Sequence, residues 1–295
     1  MKDLAISPYR YWHFWINPEQ PDREPTPAMI FGTALHDAVL EPKEFDSRYA
    51  CEIDETDFPE CLVTIGDMRQ WLKDKGKTPT GTLKADIIAQ VQRVDPNWPI
   101  LDVLKAAAEQ KNMGKEIIKK RDWWRLGQAA NSLMNEPLFE QLTKEGKPEQ
   151  VLTMDDDGVT IKGCLDWVAP KWTFDVKTFS QQAGKSIAKC ITDAIFYEAY
   201  YRQAFIYHKL RGWPNWRGDY YMFFIESDEP FEVRVRSLHS KEGAQANVYW
   251  SRAMMEYRDL LQTYVACKKK YGDKPWREPQ QAERLLDEEI PQLAW

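Results

Sequence analysis

The stretch from Glu149 to Thr178 constrains the fold of this chain more than any other. Glu149 to Met154 reads as a strand, Asp155-Asp156-Asp157-Gly158 as a tight turn, and Val159 to Val168 as the returning strand. Together they predict a hairpin. Trp172 to Thr178 adds a third strand. Residues two apart on a strand face the same way, so Asp175 and Lys177 must project from one side of the sheet. If Asp166 ends the neighbouring hairpin strand, its carboxylate can meet that of Asp175 around a hard divalent cation, with Lys177 beside a metal-bound water.

Those parts suit phosphodiester hydrolysis, which needs oxygen ligands for Mg²⁺, an activated water and cationic help for the transition state. Taken alone, Asp175-Val176-Lys177 also fits an exposed ion pair on an edge strand, with Asp166 a turn residue. The wider pattern decides between the two readings.

Ser7-Pro8 starts a short aromatic helix, and prolines at 18, 21, 25 and 27 enforce a loop before a second helix from Ala28 to Leu40 that carries His36. Residues 55–145 read as helices joined by turns, with Thr78-Pro79-Thr80-Gly81 a break between two of them. Ser186 to Leu210 is helical and lies between the third strand and the Tyr220 to Ile225 strand, which suggests a crossover. Phe231 to Val235 reads as a further strand and Glu242 to Lys270 as a long helix. The expected architecture is an α/β fold over residues 1–295, a mixed central sheet flanked by helices, with 55–145 as a helical insertion.

A formal charge of -6 argues against a protein that coats nucleic acid nonspecifically, but not against an enzyme that gathers carboxylates around metals. The basic stretches at Lys111–Arg125 and Lys268–Lys270 read as solvated faces or DNA contacts. Five cysteines with no Cys-x-x-Cys spacing read as reduced, cytoplasmic thiols rather than ligands of an iron–sulfur cluster. No apolar run approaches the roughly 20 residues of a membrane span.

An Asp followed by Asp-x-Lys after a short hairpin resembles the core of the PD-(D/E)XK nuclease superfamily, whose fold is restriction-endonuclease-like. The string Phe31-Gly32-Thr33-Ala34-Leu35-His36, with Leu40-Glu41-Pro42 and Phe45 after it, resembles the histidine helix of RecE and RecB-type nucleases. Gln203 and Tyr207 match their Gln-x-x-x-Tyr motif, and Glu149 stands where these families often carry a glutamate. The end of the chain, Ile290-Pro291 to Trp295, looks like the tail of RecE-like phage proteins. Leu165 replaces the proline of the namesake motif, and the second acid is Asp rather than Glu.

The resemblance implies a phage-type recombination exonuclease, digesting double-stranded DNA ends 5′ to 3′ and leaving 3′ tails for a single-strand annealing protein. It implies Mg²⁺, with Mn²⁺ as a substitute, held by His36, Asp166, Asp175 and the Val176 carbonyl, and catalysis by Asp166, Asp175 and Lys177 with Gln203, Tyr207 and Glu149 around them. A homo-oligomeric ring is also implied. The alternatives are a Cas4-like or RecB-like nuclease acting on single strands and a catalytically idle DNA-end-binding protein. Residues 64–91 further resemble a SAP-type helix-extended-helix module, a small DNA-binding unit.

Overall fold

A computed structural model describes residues 1–20, 24–238 and 248–277. The chain's last residues, with their RecE-like tail pattern, and the start of the expected 242–270 helix lie outside the described residues. Helices α1 (Lys2–Ile6), α2 (Pro8–Trp15), α3 (Pro27–Leu40) and α4 (Pro42–Arg48) lead to strand β1 (Tyr49–Cys51). Helices α5 (Ile65–Asp74), α6 (Lys84–Val94) and α7 (Leu101–Lys111) follow, then β2 (Glu116–Ile118), α8 (Lys120–Met134) and α9 (Pro137–Leu142). The second half runs β3 (Lys147–Asp156), β4 (Val159–Val168), β5 (Trp172–Phe179), α10 (Ile187–Tyr197), α11 (Tyr200–Leu210), β6 (Asp219–Glu226), β7 (Val233–Leu238) and α12 (Val248–Tyr271).

The five-stranded sheet has the order β3-β4-β5-β6-β7, with β5 and β6 parallel and the other neighbours antiparallel. The parallel pair is joined through α10 and α11, so the expected crossover is present. Alternate residues separate two cores. Phe174, Val176, Phe223 and Ile225 pack with α3, α8 and α9, whereas Tyr220, Met222 and Phe224 pack with α10, α11 and α12. Each such buried aromatic or aliphatic side chain stabilises the layers by about 1.5–3 kcal/mol relative to exposure. The mixed sheet between helical layers matches the architecture expected from sequence.

Local chemistry explains the helix starts. Ser7 and Thr26 accept hydrogen bonds from Arg10 and Met29 N–H, each followed by a proline at the first helical position. The segment expected as one helix from Ser186 to Leu210 is instead broken, because Ala199 takes a left-handed φ of 55° and redirects α11.

Residues 55–145 divide in a way that periodicity does not show. Helices α8 and α9 belong to the main core, packing against α3 and the sheet through Leu126, Leu133, Phe139 and Leu142. A separate small core of Leu62, Met68, Trp71, Leu72, Ile87, Val91 and Ile100 is confined to the chain from 62 to 100. That excursion is tied off at its base by a parallel Leu62–Ile100 bridge and by the parallel pairing of β1 with β2. Among the described residues no helix is long and apolar enough to cross a membrane.

Candidate active site

The site arises where β4 and β5 separate. These strands pair in register only at Trp167–Phe174 and Val168–Thr173. Beyond that point the Val176 N–H and C=O face a gap instead of a neighbouring strand, and side chains take them. The Asp166 carboxylate accepts the Val176 N–H at 2.7 Å. On the other side His36 Nε2 lies 2.7 Å from the Val176 carbonyl. A carbonyl can only accept, so Nε2 carries the proton and Nδ1, 3.5 Å from Asp166 Oδ2, keeps the lone pair. Burial holds the His36 pKa below its ordinary value, against the pull of Asp175, which keeps the ring neutral and able to bind a metal.

Glu149 completes the cluster from the outer strand. The β3–β4 register places it opposite Asp166, but its φ of 48° is left-handed, and the two residues are missing from the run of ladder pairs on either side. A non-glycine residue in that region is strained by about 1–2 kcal/mol, a cost tolerated where function needs the side chain aimed. The ligand atoms of His36, Glu149 and Asp166 fall within 4.8 Å of one another.

Asp175 stands outside that three-residue cluster, although the sequence pattern put it among the ligands. It is fully buried, and neither carboxylate oxygen has a hydrogen-bond partner, although an ion pair with Lys177 is formed. The exposed-edge reading of the Asp-x-Lys pair is therefore excluded. Burial, and then the charge of Asp166, push the Asp175 carboxyl up to about 7. Lys177 shares its face, and Asp175 and Asp166 hold its ammonium above the ordinary lysine range even though burial alone would lower it. The Tyr200 ring covers Lys177 Nζ at 5.1 Å, an arrangement set by the break at Ala199. Sequence reasoning passed over Tyr200; only its place just after the helix break could have signalled it.

Gln203 and Tyr207 form the wall rather than the floor. Gln203 Nε2 donates to the Tyr207 hydroxyl at 2.8 Å, which donates to the Cys164 carbonyl at 2.7 Å. The pair so fixes the hairpin strand two residues before Asp166. Gly163 makes the approach possible, since a Cβ there would sit 2.6 Å from Leu210 Cδ1 and 3.1 Å from the Tyr207 ring. Cys164 Sγ lies 3.2 Å from Glu149 Oε2. Its thiol is pushed up to about 11 by burial and by Glu149. The Val176 carbonyl, expected as a metal ligand, is here the acceptor for His36.

The donor set fits a divalent cation. One neutral imidazole and two carboxylates converge, and a third carboxylate, buried and paired with Lys177, lies alongside in the field of the others. Lys177 offsets the charge of Asp175, and the remaining acids, Asp166 and Glu149, crowd together in a way that a bound cation would relieve.

Residues 1–284 match the family described as a PDDEXK-like domain of unknown function (DUF3799). No curated protein matches the chain. Among solved structures, the chain is similar to one from Eubacterium rectale described as "Putative exonuclease", at 13% identity and a TM-score of 0.40, over 75% of this chain and 85% of that one.

Proposed function

Because the chain belongs to the PDDEXK-like family DUF3799, we propose that it is a divalent-metal-dependent exonuclease acting on double-stranded DNA ends. The observation that carries this reading is the buried Asp175 carboxylate, paired with the half-buried Lys177 beside Asp166, where β4 and β5 separate. A protein that only bound DNA ends would have no use for two buried acids with a third acid and a half-buried lysine beside them.

His36, Glu149 and Asp166 would hold Mg²⁺ or Mn²⁺, with Asp175 adjoining. A cation held there would supply Lewis acidity and lower the pKa of a water so that its deprotonated form is available as nucleophile. Lys177 is held charged by its two acids and serves as the fixed positive group for the charge that develops on the phosphate. Tyr207 and Gln203 keep the Asp166 strand in place. The resemblance to RecE implies 5′ to 3′ digestion that leaves 3′ tails for an annealing protein, by a ring of several copies, and this finer part of the reading rests on that resemblance alone.

The test uses linear and covalently closed duplexes labelled at either 5′ or 3′ ends, with Mg²⁺. The reading expects mononucleotides from linear duplex, early loss of 5′ label, intact circles and no product from Asp175→Ala. Cleavage of circles would show an endonuclease. Exclusive cleavage of single strands would favour the RecB-like alternative, and binding of ends without cleavage would identify an idle relative.

A further inference from the structure

Behind the Gln203–Tyr207 wall lies a cavity of about 680 Å³ that the proposed chemistry leaves unused. It lies between the outer half of β4, helices α1 and α2, and α11. Its volume falls within the roughly 300–1,000 Å³ of pockets that enclose small organic ligands, which suits a nucleotide or two rather than a duplex. Tyr11 and Trp15 both line it and stand four apart on α2, so they share a helix face. Tyr11 packs against Trp276 and Tyr264, whereas Trp15 is 66% exposed, with its Nε1 donating to Asp3 Oδ2 at 2.9 Å. An indole held in this way presents a flat aromatic face to the cavity.

The charged lining is basic, in a chain whose formal charge is -6. Lys2, Lys162 and Arg202 face a single acid, Glu198, which Lys2 pairs with. Lys162 is exposed on β4 and forms no ion pair among the described residues. Arg202 is only 7% exposed, and its partner Glu256 also accepts from Arg252, at 3.0 and 2.6 Å respectively. One carboxylate thus answers two guanidiniums, and an anion in the cavity would relieve that imbalance. We propose that the cavity is a nucleotide subsite, in which a base stacks on Trp15 and its phosphate lies against Lys162 and Arg202. Stacking accepts any base, so the subsite does not select sequence. Gln203 and Tyr207 stand between it and the acids, which places its occupant next to the scissile position.

The inference rests on the nuclease reading for its choice of ligand, and its test needs no turnover. Full-length protein is kept free of divalent metal, so that the acid cluster has no cation with which to draw a phosphate. The probe is the 5′-monophosphate of 2-aminopurine deoxyriboside, whose fluorescence is quenched by stacking. Saturable quenching is expected in the wild type, reversed by dTMP but at least about tenfold less well by thymidine or by inorganic phosphate. Trp15→Ala and Lys162→Gln alter exposed side chains and leave the cores intact. The first should weaken binding about tenfold and remove the quenching. The second should weaken binding of a short dT oligomer and flatten its dependence on log salt by roughly 0.7. Both sources of the nucleotide are separable: pdTpdT competing at least about tenfold better than dTMP identifies the end of an attached strand, and equal competition identifies the released product. Absence of saturable quenching in the wild type, or unchanged binding in both variants, overturns the proposal. On the wild type alone, photocrosslinked 5-iodo-dUMP should attach to the peptide that carries Trp15, and attachment only elsewhere also overturns it. A chain that binds nucleotides in this way but never cuts DNA with Mg²⁺ overturns the nuclease reading and leaves this inference standing.

Discussion

Glu149 stands opposite Asp166 across the β3–β4 hairpin, and it joins the His36–Asp166 cluster with a left-handed backbone, φ of 48°. The strained residue is thus also a candidate ligand. Glycine adopts that backbone freely and alanine does not, so Glu149→Gly should be more stable to denaturant than Glu149→Ala by about 1 kcal/mol. Both should lose Mn²⁺ affinity, measured by calorimetry. The reverse stability order would mean that the residue is not left-handed in solution.

In the proposed reading Asp166 has two separable tasks, holding a metal and accepting the Val176 N–H. Asp166→Asn keeps an acceptor oxygen and should stay close to wild-type stability while losing hydrolysis. Asp166→Ala leaves a buried N–H without a partner and should cost about 1–3 kcal/mol in addition. Equal stabilities in urea unfolding would show that water replaces the carboxylate.

Lys177 is covered by Tyr200 and paired with Asp175. Lys177→Ala should lower kcat by about 10²-fold or more, the scale for losing one charge-stabilising group, while still binding Mn²⁺. Tyr200→Phe keeps the ring face and should retain most of kcat, whereas Tyr200→Leu should lower kcat more than KM. If Phe and Leu behave alike, the ring face plays no part in holding the ammonium.

The hairpin tip is clamped to the helical layer by Asp156, which pairs with Lys209 and accepts from the Tyr257 hydroxyl at 2.5 Å. Burial raises the Asp156 carboxyl, but these two partners outweigh it and the net direction is down. A depressed folded-state pKa stabilises the protein above the unfolded value of about 3.9, and that stability is lost as pH falls through the folded value. Thermal midpoints of wild type and Asp156→Asn should therefore differ at about pH 6 and converge below about pH 4. A gap that stayed constant to acid pH would assign the effect to packing.

Short-range pattern was enough for the elements that carry the chemistry. The 2-residue period put Asp175 and Lys177 on one face of β5, and cap residues with prolines marked α2 and α3. What local pattern could not supply was register and divergence. The separation of β4 from β5, which aims Asp166 and His36 at Val176, depends on contacts 10 and 140 residues apart in sequence. The same holds for the promotion of Glu149 into the cluster and for the Ala199 break that lays Tyr200 over Lys177. The division of 55–145 was hidden because α8 is as amphipathic as the helices before it, and only its partners show that it belongs to the main core.

The unit from Leu62 to Ile100 carries the last prediction. Its two helices α5 and α6 are joined by an exposed segment that is nonetheless pinned, with Arg69 donating to the Gly81 carbonyl at 2.6 Å and Gln90 bonding both the N–H and C=O of Thr80 at 3.0 and 2.7 Å. From Arg69 to Lys84 the chain has Arg69, Lys73, Lys75, Lys77 and Lys84 against the single acid Asp74. Lys84 is held by Asp102 and Lys75 lies over Trp71 and Trp98, which leaves Lys73 and Lys77 the best placed to meet phosphates. Because Leu62 and Ile100 are already bridged, replacing residues 63–99 with a short flexible linker should leave the main cores folded. Hydrolysis of a saturating short duplex should change little, since the chemistry lies on β3, β4 and β5. Affinity for long duplex should fall, and log affinity should depend less steeply on log salt, by roughly 0.9 for each phosphate that the protein no longer neutralises. The Lys73→Gln, Lys77→Gln double variant should reproduce part of both effects without removing the fold of the unit. If the deletion leaves affinity and salt slope as they were, the unit does not touch DNA, and its pinned segment must serve packing between copies or another surface of the chain.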